Sequence, residues 1–284
     1  MDIDKLIDYL NVEQIDKYVF VGQSPAKPSR IFGGQVLAQC LNAAGRTVDE
    51  DRPAHSLHAY FLRPGNPQKQ ILFEVDPIRD GGSFTTRRII AKQDGIPIFN
   101  MSASFHKMEE GFEHQMPMPP APEPETVETD DEYWEKHAER LSNVLRPPNH
   151  FPIERRNVHR RDYINPEPME PHQQFWFRVQ KELPDDHRLH QVLLAYISDY
   201  GLLGTAMYPH PVSPAQDDVQ AASLDHGLWF HRPFRVDDFV LADQDSPSAF
   251  GNRGFSRGSF YNRDGVLVAS SVQESLARVR PKKA

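Results

Sequence analysis

The chain has 284 residues, of which 40 are acidic and 32 are basic, and its formal net charge is −8 at pH 7. This acidic balance argues against binding to nucleic acid, and no apolar run reaches the roughly 20 residues that a membrane-spanning helix needs. The opening residues Met1–Asp4 lack the character of a signal peptide and Cys40 is the single cysteine, so we expect a soluble cytoplasmic protein without disulfides.

The first part of the chain predicts two helices followed by an antiparallel meander. Apolar residues at Leu6, Ile7 and Leu10 indicate a short amphipathic helix within residues 1–20. A longer helix begins at Gly33 and ends near Val48, with its apolar residues on one face. Four strand-like runs follow, at His55–Leu62, Ile71–Ile78, Thr85–Gln93 and Pro97–Lys107.

The composition changes between residues 109 and 170. Five prolines fall among acidic residues there: Pro117, Pro119, Pro120, Pro122 and Pro124. Such proline density cannot sustain a sheet, and the acidic run lacks the apolar content of a core. We therefore predict a proline-rich acidic linker over 109–170, irregular around Pro117 to Glu132 and helical around Trp134.

The last part of the chain again predicts one helix and an antiparallel set of strands. A strand at Phe175–Val179 precedes a helix that begins at Asp185 as N-cap and ends near Leu203. Further strands are predicted at Ala221–Trp229, Phe239–Asp245, Gly254–Asn262 and Leu267–Arg278.

Two sequence patterns occur twice at a constant spacing. Tyr60–Pro64 and Trp229–Pro233 share an aromatic-Phe-x-Arg-Pro sequence 169 residues apart, and Asp-Gly pairs at Asp94 and Asp264 are 170 apart. An Asp-Gly pair is typical of a hairpin turn, because the turn needs positive φ. The repetition predicts an α+β protein with two similar domains, at 1–108 and 171–284.

The two copies differ most at a carboxylate. An ungapped match of the two long helices places Asn42 opposite Asp199, which falls on the apolar face of the second helix. Burial raises the pKa of a carboxyl group towards the range of a general base. A structural aspartate near a helix end, followed by Gly201 or Gly204, explains the pattern equally well.

Two further polar residues accompany Asp199 in the second copy. They are Ser223 and Gln273, and the position that matches Gln273 in the first copy is Ala103. A carboxylate, a hydroxyl and a carboxamide can hold one water, with the acid taking its proton and the other two groups fixing its orientation. Ordinary strand polarity is the alternative for Ser223 and Gln273.

A literal Gly-x-Ser-x-Gly motif at Gly254–Gly258 suggests Ser256 as a hydrolase nucleophile. That motif needs a strand before it, a helix after it and a later histidine, whereas the flanks here are strand-like and no histidine follows His231. We therefore expect Ser256 to be a solvent-facing strand residue. Cys40 lies on the apolar face of a helix, which favours a core residue over a thiol nucleophile.

No metal or nucleotide motif is present. His187 and His190 are three residues apart without an acidic partner motif, and neither paired Cys-x-x-Cys nor a Gly-rich phosphate loop occurs. We expect no metal and no cofactor. His231, beside Arg232, is better read as a half-buried strand residue than as a base.

Several long segments of the chain form a recognisable set: Val21–Ser24, Ile31–Val36, His55–Gly65, Ser104-Phe105 with Gly111–Gln115, Ser198-Asp199 and Leu224–Phe234. Together they resemble the acyl-CoA thioesterase II family, and the likeness covers nearly the whole chain outside the linker.

The resemblance implies a double hotdog fold, in which a long helix is wrapped by an antiparallel sheet twice, and a role in fatty acid metabolism. It implies hydrolysis of fatty acyl-CoA to free acid and CoA without a covalent intermediate, so the CoA thioester is the substrate rather than a cofactor. The water-binding roles fall on Asp199, Ser223 and Gln273. Threonine is usual at the hydroxyl position, so Ser223 lacks a methyl group that restricts the rotamer. The CoA-binding residues stay open, and we expect a homodimer or larger homo-oligomer.

Two other functions remain as alternatives. A hotdog hydratase would need a histidine and an aspartate near the β-carbon of the thioester, and no such motif is apparent. A non-enzymatic acyl-CoA binder would have no need of Asp199, Ser223 and Gln273.

Overall fold

The computed structural model describes residues 2–25, 30–141, 152–214, 216 and 218–280. Within these residues, the first half of the chain contains two helices and six strands. The helices are α1 (Ile3–Leu10) and α2 (Gly33–Gly45). The strands are β1 (Glu13–Asp16), β2 (Val19–Gly22), β3 (Ala54–Phe61), β4 (Ile71–Asp80), β5 (Phe84–Gln93) and β6 (Ile96–His106).

The second half repeats this order after a connecting segment. That segment holds a 3₁₀ turn (Pro124–Thr126), α3 (Asp130–Lys136) and α4 (Ala138–Leu141). The remaining helices are α5 (His187–Ser198) and α6 (Leu202–Thr205). The strands are β7 (Ile153–Asn157), β8 (His172–Val179), β9 (Val219–Ser223), β10 (Asp225–Phe230), β11 (Val240–Phe250), β12 (Arg253–Asn262) and β13 (Leu267–Val279). No helix in the described ranges is long and apolar enough to cross a membrane.

The strands form one antiparallel sheet with internal symmetry. Its order is β1-β2-β4-β5-β6-β3-β10-β13-β12-β11-β8-β7, with β9 also paired to β13. Read from its two edges towards its centre, the sheet has the same order of strands in each half. The halves meet where β3 pairs with β10 and His58 lies opposite Gly227, two positions that are 169 residues apart. The repeat in the sequence therefore corresponds to two halves of the structure that are related by a pseudo-twofold axis, which passes through the β3–β10 pair.

Helix α2 lies against β3, β4, β5 and β6 of the first half, and it also packs on α5, which contacts β10 of the second half. Leu37, Cys40 and Leu193 are fully buried between these layers. One continuous core runs through both halves. A helix surrounded by a sheet and a second helix is buried almost all round, which explains why apolar residues extend beyond one face. The architecture is the double hotdog that the resemblance implies.

The connecting segment agrees with the prediction in part. No strand occurs between Pro117 and Glu132, and the predicted helix around Trp134 is α3. Yet the segment is anchored to the second half: the carbonyl of Pro122 accepts the Trp176 indole N–H at 2.9 Å. Strands β1, β2 and β7 were not predicted. Strand β7 pairs with β8 as the counterpart of β1.

The second long helix begins and ends at different residues from those predicted. Its N-cap is Asp186, whose side chain accepts the backbone N–H groups of Arg188 and Leu189. The helix ends at Ser198 rather than near Leu203, because Gly201 has a φ of 87° and turns the chain into α6. Asp199 is thus the C-cap of α5 and not a residue within it.

One predicted strand is two strands separated by a β-bulge. Ser223 lies opposite Ser275, and Gly227 lies opposite Val272, so β9–β10 carries one residue more than β13 between these pairs. The extra residue is Leu224. A bulge reverses the alternation of side chains along a strand, so residues on either side of it that would face opposite ways can share a face.

Candidate active site

Asp199 lies where the end of α5 meets the start of α2. Its Oδ2 accepts the backbone N–H of Gly34 at 2.9 Å. The N-terminus of a helix carries unpaired N–H groups and a partial positive charge, both of which stabilise a carboxylate. The site is therefore formed by both halves of the molecule.

Two glycines permit this approach of α2 to α5. A Cβ atom on Gly33 would lie 2.7 Å from Asp199 Oδ2, and one on Gly34 would lie 2.3 Å from the carbonyl oxygen of Tyr196. Both distances are too short for non-bonded contact between a Cβ atom and an oxygen, so only glycine fits at these two positions. The Gly33-Gly34 pair, which the sequence indicated only as a helix start, sets the distance between the helices.

The three predicted site residues converge. Ser223 Oγ donates to Asp199 Oδ1 at 3.2 Å, and Gln273 Nε2 donates to Ser223 Oγ at 2.9 Å. Gln273 Nε2 also contacts Ser275 Oγ at 3.1 Å. Ser223 stands at the end of β9 and Gln273 on the adjacent β13, both facing the helix layer.

His226, for which the sequence pattern predicted no role, contacts Gln273 and so belongs to this group. His226 Nδ1 lies 2.8 Å from Gln273 Oε1, and its Nε2 lies 2.9 Å from Ser198 Oγ. His226 and Gln273 are fully buried. Because simple alternation from Ser223 points residue 226 to the other face, only the bulge at Leu224 could have indicated this placement.

The protein environment changes the proton affinity of two groups. Burial raises the pKa of Asp199 to about 7, although the Ser223 hydroxyl, the Gly34 N–H and the charge of Arg30 act in the opposite direction. Burial lowers the pKa of His226 to about 4. At neutral pH, His226 is uncharged, while Asp199 can both give and take a proton.

The equivalent place in the first half has lost these groups. The strand pairings match Ser223, Gln273 and Ser275 with Ala54, Ala103 and Phe105. Arg46 is the C-cap of α2 and Asp199 is the C-cap of α5, so Arg46 is the residue of the first half that is equivalent to Asp199. The ungapped match with Asn42 was therefore wrong, and Asn42 instead accepts the backbone N–H of Val12.

Ser256 does not have the surroundings of a nucleophile, but our expectation that it faces solvent was wrong. It is 1% exposed, and its hydroxyl has no hydrogen-bond partner among the residues that the structure describes. A Cβ on the neighbouring Gly254 would lie 2.3 Å from Ala206 Cβ, just after α6. Gly-x-Ser-x-Gly is here a stripe of small residues on β12 that makes room for α6.

The remaining candidates are not part of the site. Cys40 is buried, and burial raises the pKa of its thiol well above the usual value, which leaves it unreactive. His231 was wrongly expected to be a half-buried strand residue, since it directly follows β10 and is exposed, and its Nε2 lies 2.9 Å from Ser270 Oγ. Across the described ranges, no three histidine, cysteine or acidic side chains converge as metal ligands.

A cavity of about 270 Å³ lies near the C-terminal end of α5. Ile197 of α5 and Tyr200, which directly follows Asp199, form part of its wall, and Phe175 and Phe177 of β8 form another part. Trp134 of α3 also lines it, together with charged residues such as Asp130 and Arg155. The connecting segment thus contributes to a cavity of mixed polarity near the end of the helix that Asp199 caps.

Two family models match the chain, one in each half. A model described as "Acyl-CoA thioesterase N-terminal domain" matches residues 23–106, and one described as "Acyl-CoA thioesterase" matches residues 147–276. The second match includes β7, Asp199, Ser223, His226 and Gln273.

Curated relatives match over nearly the full length. Acyl-CoA thioesterase 2 of Haemophilus influenzae is 38% identical over 279 residues, covering 97% of this chain and 98% of the relative. Acyl-coenzyme A thioesterase 8 of Homo sapiens is 39% identical over 293 residues, covering 96% of this chain and 88% of the relative.

Solved structures agree in fold. An acyl-CoA thioesterase II, TesB2, from Mycobacterium marinum has a TM-score of 0.81 and 41% identity, covering 98% of this chain and 99% of that one. A protein with a hot dog fold from Alicyclobacillus acidocaldarius has a TM-score of 0.78 at 19% identity, covering 98% and 99%, and supports the fold alone. With matching models in both halves, full-length relatives and this shared fold, the chain belongs to the acyl-CoA thioesterase II family.

Proposed function

We propose that this protein hydrolyses fatty acyl-CoA to a free fatty acid and CoA, using a water activated by Asp199, Ser223 and Gln273. The observation that carries the proposal is the convergence of these side chains on one carboxylate whose pKa is about 7. A base with a pKa near the working pH is the most effective one.

In this mechanism Asp199 takes a proton from the water as the water oxygen bonds to the thioester carbonyl carbon. Each carboxylate oxygen accepts one hydrogen bond from the protein, and each has a further lone pair for the water. Collapse of the tetrahedral intermediate breaks the C–S bond, and the proton held by Asp199 passes to the departing thiolate. No acyl-enzyme forms in this sequence.

The start of α2 suits the charge that develops during the reaction. Its N–H end faces Asp199, and a helix N-terminus stabilises negative charge nearby. We infer that backbone N–H groups in this region stabilise the oxyanion, and that the cavity beside Tyr200, whose wall includes Phe175 and Phe177, receives the acyl chain.

Release of free thiol from palmitoyl-CoA, followed with a thiol reagent, tests the proposal against its two rivals. A hydratase would consume an enoyl-CoA without releasing thiol, and a binding protein would retain the ligand unchanged.

Ser223→Thr should keep activity, because the hydroxyl remains, whereas Ser223→Ala should slow turnover. Equal rates for Ser223→Ala and wild type would remove Ser223 from the mechanism.

A cytoplasmic location, a place in fatty acid metabolism and assembly into homodimers or larger homo-oligomers complete the proposal. The full-length likeness to a bacterial acyl-CoA thioesterase supports the first two. Sedimentation velocity at several protein concentrations would measure the assembly, and a single species with the mass of one chain would contradict it.

A further inference from the structure

A ring of hydrogen bonds runs through the site and includes two residues, Ser198 and His226, to which the mechanism above gives no role. It passes from Ser198 to His226, on to Gln273, then to Ser223 and Asp199. The peptide bond between Ser198 and Asp199 closes it. Every link is between 2.8 and 3.2 Å.

The ionised carboxylate of Asp199 determines the direction of the bonds nearest to it. A carboxylate only accepts hydrogen bonds, so the single hydroxyl proton of Ser223 points to Asp199. Ser223 must then accept its other bond, and the group that faces it is the Gln273 NH₂. Gln273 therefore presents its carbonyl oxygen to His226.

The same reasoning determines the proton position on His226. The Gln273 carbonyl only accepts, so His226 must carry its proton on Nδ1. An uncharged imidazole has one N–H, so Nε2 accepts from the hydroxyl of Ser198. That hydroxyl also lies 2.9 Å from the carbonyl of Ala195, which competes with Nε2 for the single hydroxyl proton and accepts it only when Nε2 does not.

We propose that His226, uncharged and protonated on Nδ1, is a positioning residue that fixes the amide orientation of Gln273 and thereby directs the Ser223 hydroxyl to Asp199. The proposal rests on the proposed function, in which Asp199 is the base. Rotation of the amide by 180° would place its oxygen against Ser223. Ser223 would then donate to Gln273, and the ionised Asp199 would lose the hydrogen bond from Ser223.

The first half of the molecule supports a functional reason for the ring. The strand pairings place Leu57 at the position of His226, and Ala54 and Ala103 at those of Ser223 and Gln273. The polar members are thus absent together in the copy that lacks the carboxylate. Leu57 is fully buried, so a leucine is compatible with this position of the fold. It provides a matched replacement for His226.

Kinetics of His226→Leu and His226→Asn in the full chain test the proposal. We expect His226→Leu to lower kcat by about 10- to 100-fold and to change KM by less than about twofold, because substrate contacts are untouched. His226→Asn retains a donor for Gln273 and should recover at least about fivefold of the loss. Full activity in His226→Leu would overturn the proposal.

A double-mutant cycle separates positioning from general support of the fold. Since His226 acts through Gln273, adding His226→Leu to Gln273→Leu should lower kcat by less than about twofold further. If His226 only supported the fold, His226→Leu would lower kcat by the same factor in wild type and in Gln273→Leu. That result would overturn the proposal.

The tautomer can be measured directly by ¹⁵N NMR of histidine-labelled protein at about pH 9, where Asp199 is ionised because its pKa is about 7. A proton on Nδ1 is expected, and a proton on Nε2 would contradict the assignment of every bond in the ring. Asp199→Asn provides the control for the underlying function. If that variant is inactive and His226→Leu is fully active, only the positioning role fails; if Asp199→Asn retains activity, the proposed function fails with it.

Discussion

At the scale of single residues, the chemistry depends on a carboxylate that is kept from full solvation. Asp199 keeps some exposed surface, but its surroundings raise its pKa to about 7. The hydrogen bonds that Asp199 accepts from the Gly34 N–H and the Ser223 hydroxyl favour the charged form, but they do not offset the rise in pKa that burial causes. The balance gives a base that can release its proton to the thiolate.

Replacing Asp199 by Asn should lower kcat by roughly 10² to 10⁴, because the amide keeps the shape but cannot take a proton. The fold should survive with a gain in stability that depends on pH. The raised pKa means that wild type loses stability as pH increases from about 4 to about 7, while the amide does not. Urea unfolding should show a gain of about 1 to 3 kcal/mol at pH 8 and almost none at pH 4. Activity within tenfold of wild type in a folded variant would mean that another group is the base.

The same pKa predicts the pH dependence of catalysis. Since Asp199 must be ionised to act as base, kcat/KM should rise with pH and level off above about 7. His226 stays uncharged across this range because burial lowers its pKa to about 4. Initial rates with palmitoyl-CoA between pH 5 and 9 check this. A profile that is flat from pH 5 upward would assign the base to a group with an ordinary carboxyl pKa.

At the scale of elements, the site depends on how closely two helix ends approach each other. Gly34→Ala would place a methyl group 2.3 Å from the Tyr196 carbonyl and push α2 away from α5. We expect a loss of about 2 to 4 kcal/mol in the free energy of unfolding and of at least about a hundredfold in kcat. Gly82→Ala is the matched control, because its Cβ would meet nothing within 4 Å. Thermal unfolding and kcat of both variants decide the matter, and equal behaviour of the two would contradict this role for the glycine pair.

The strand β12 gives a second prediction at this scale. Ser256→Ala should leave thioesterase activity within about threefold and cost almost no stability, because the buried hydroxyl has no partner among the described residues. Ser256→Leu should destabilise the protein by about 1 to 3 kcal/mol, since α6 lies over the small-residue stripe. A thousandfold loss of activity in a folded Ser256→Ala protein would revive the serine-nucleophile hypothesis.

At the scale of the whole molecule, neither half is sufficient for the site. The carboxylate, hydroxyl and amide belong to the second half, but the N–H that caps the carboxylate comes from Gly34 in the first. We expect residues 152–284 expressed alone to lose at least about a hundredfold in kcat, because α5 and the β10 edge would be uncovered. Co-expression with residues 1–141 should restore most of the activity. Substantial thioesterase activity in the isolated second half would show that the first half is dispensable.

The sequence alone determined the repeat, the two long helices and most of the strands, because these depend on local periodicity and on turn residues such as Asp94 and Gly95. Both of these residues have positive φ, as the predicted hairpin requires. It also indicated Asp199, Ser223 and Gln273, whose convergence stayed a prediction until the strands were placed side by side. Strand β7 escaped prediction because a short edge strand is stabilised by pairing with β8 rather than by its own pattern.

Only the tertiary structure decided which polar residues share a face and how far apart the helix ends lie. The bulge at Leu224 turns Ser223 and His226 to the same side, and α6 covers Ser256, which strand polarity alone would have left in solvent. The first-half N–H of Gly34 reaches a carboxylate 165 residues later in the chain. Such placements depend on strand register and on contacts between distant segments, and a local pattern of residues contains neither.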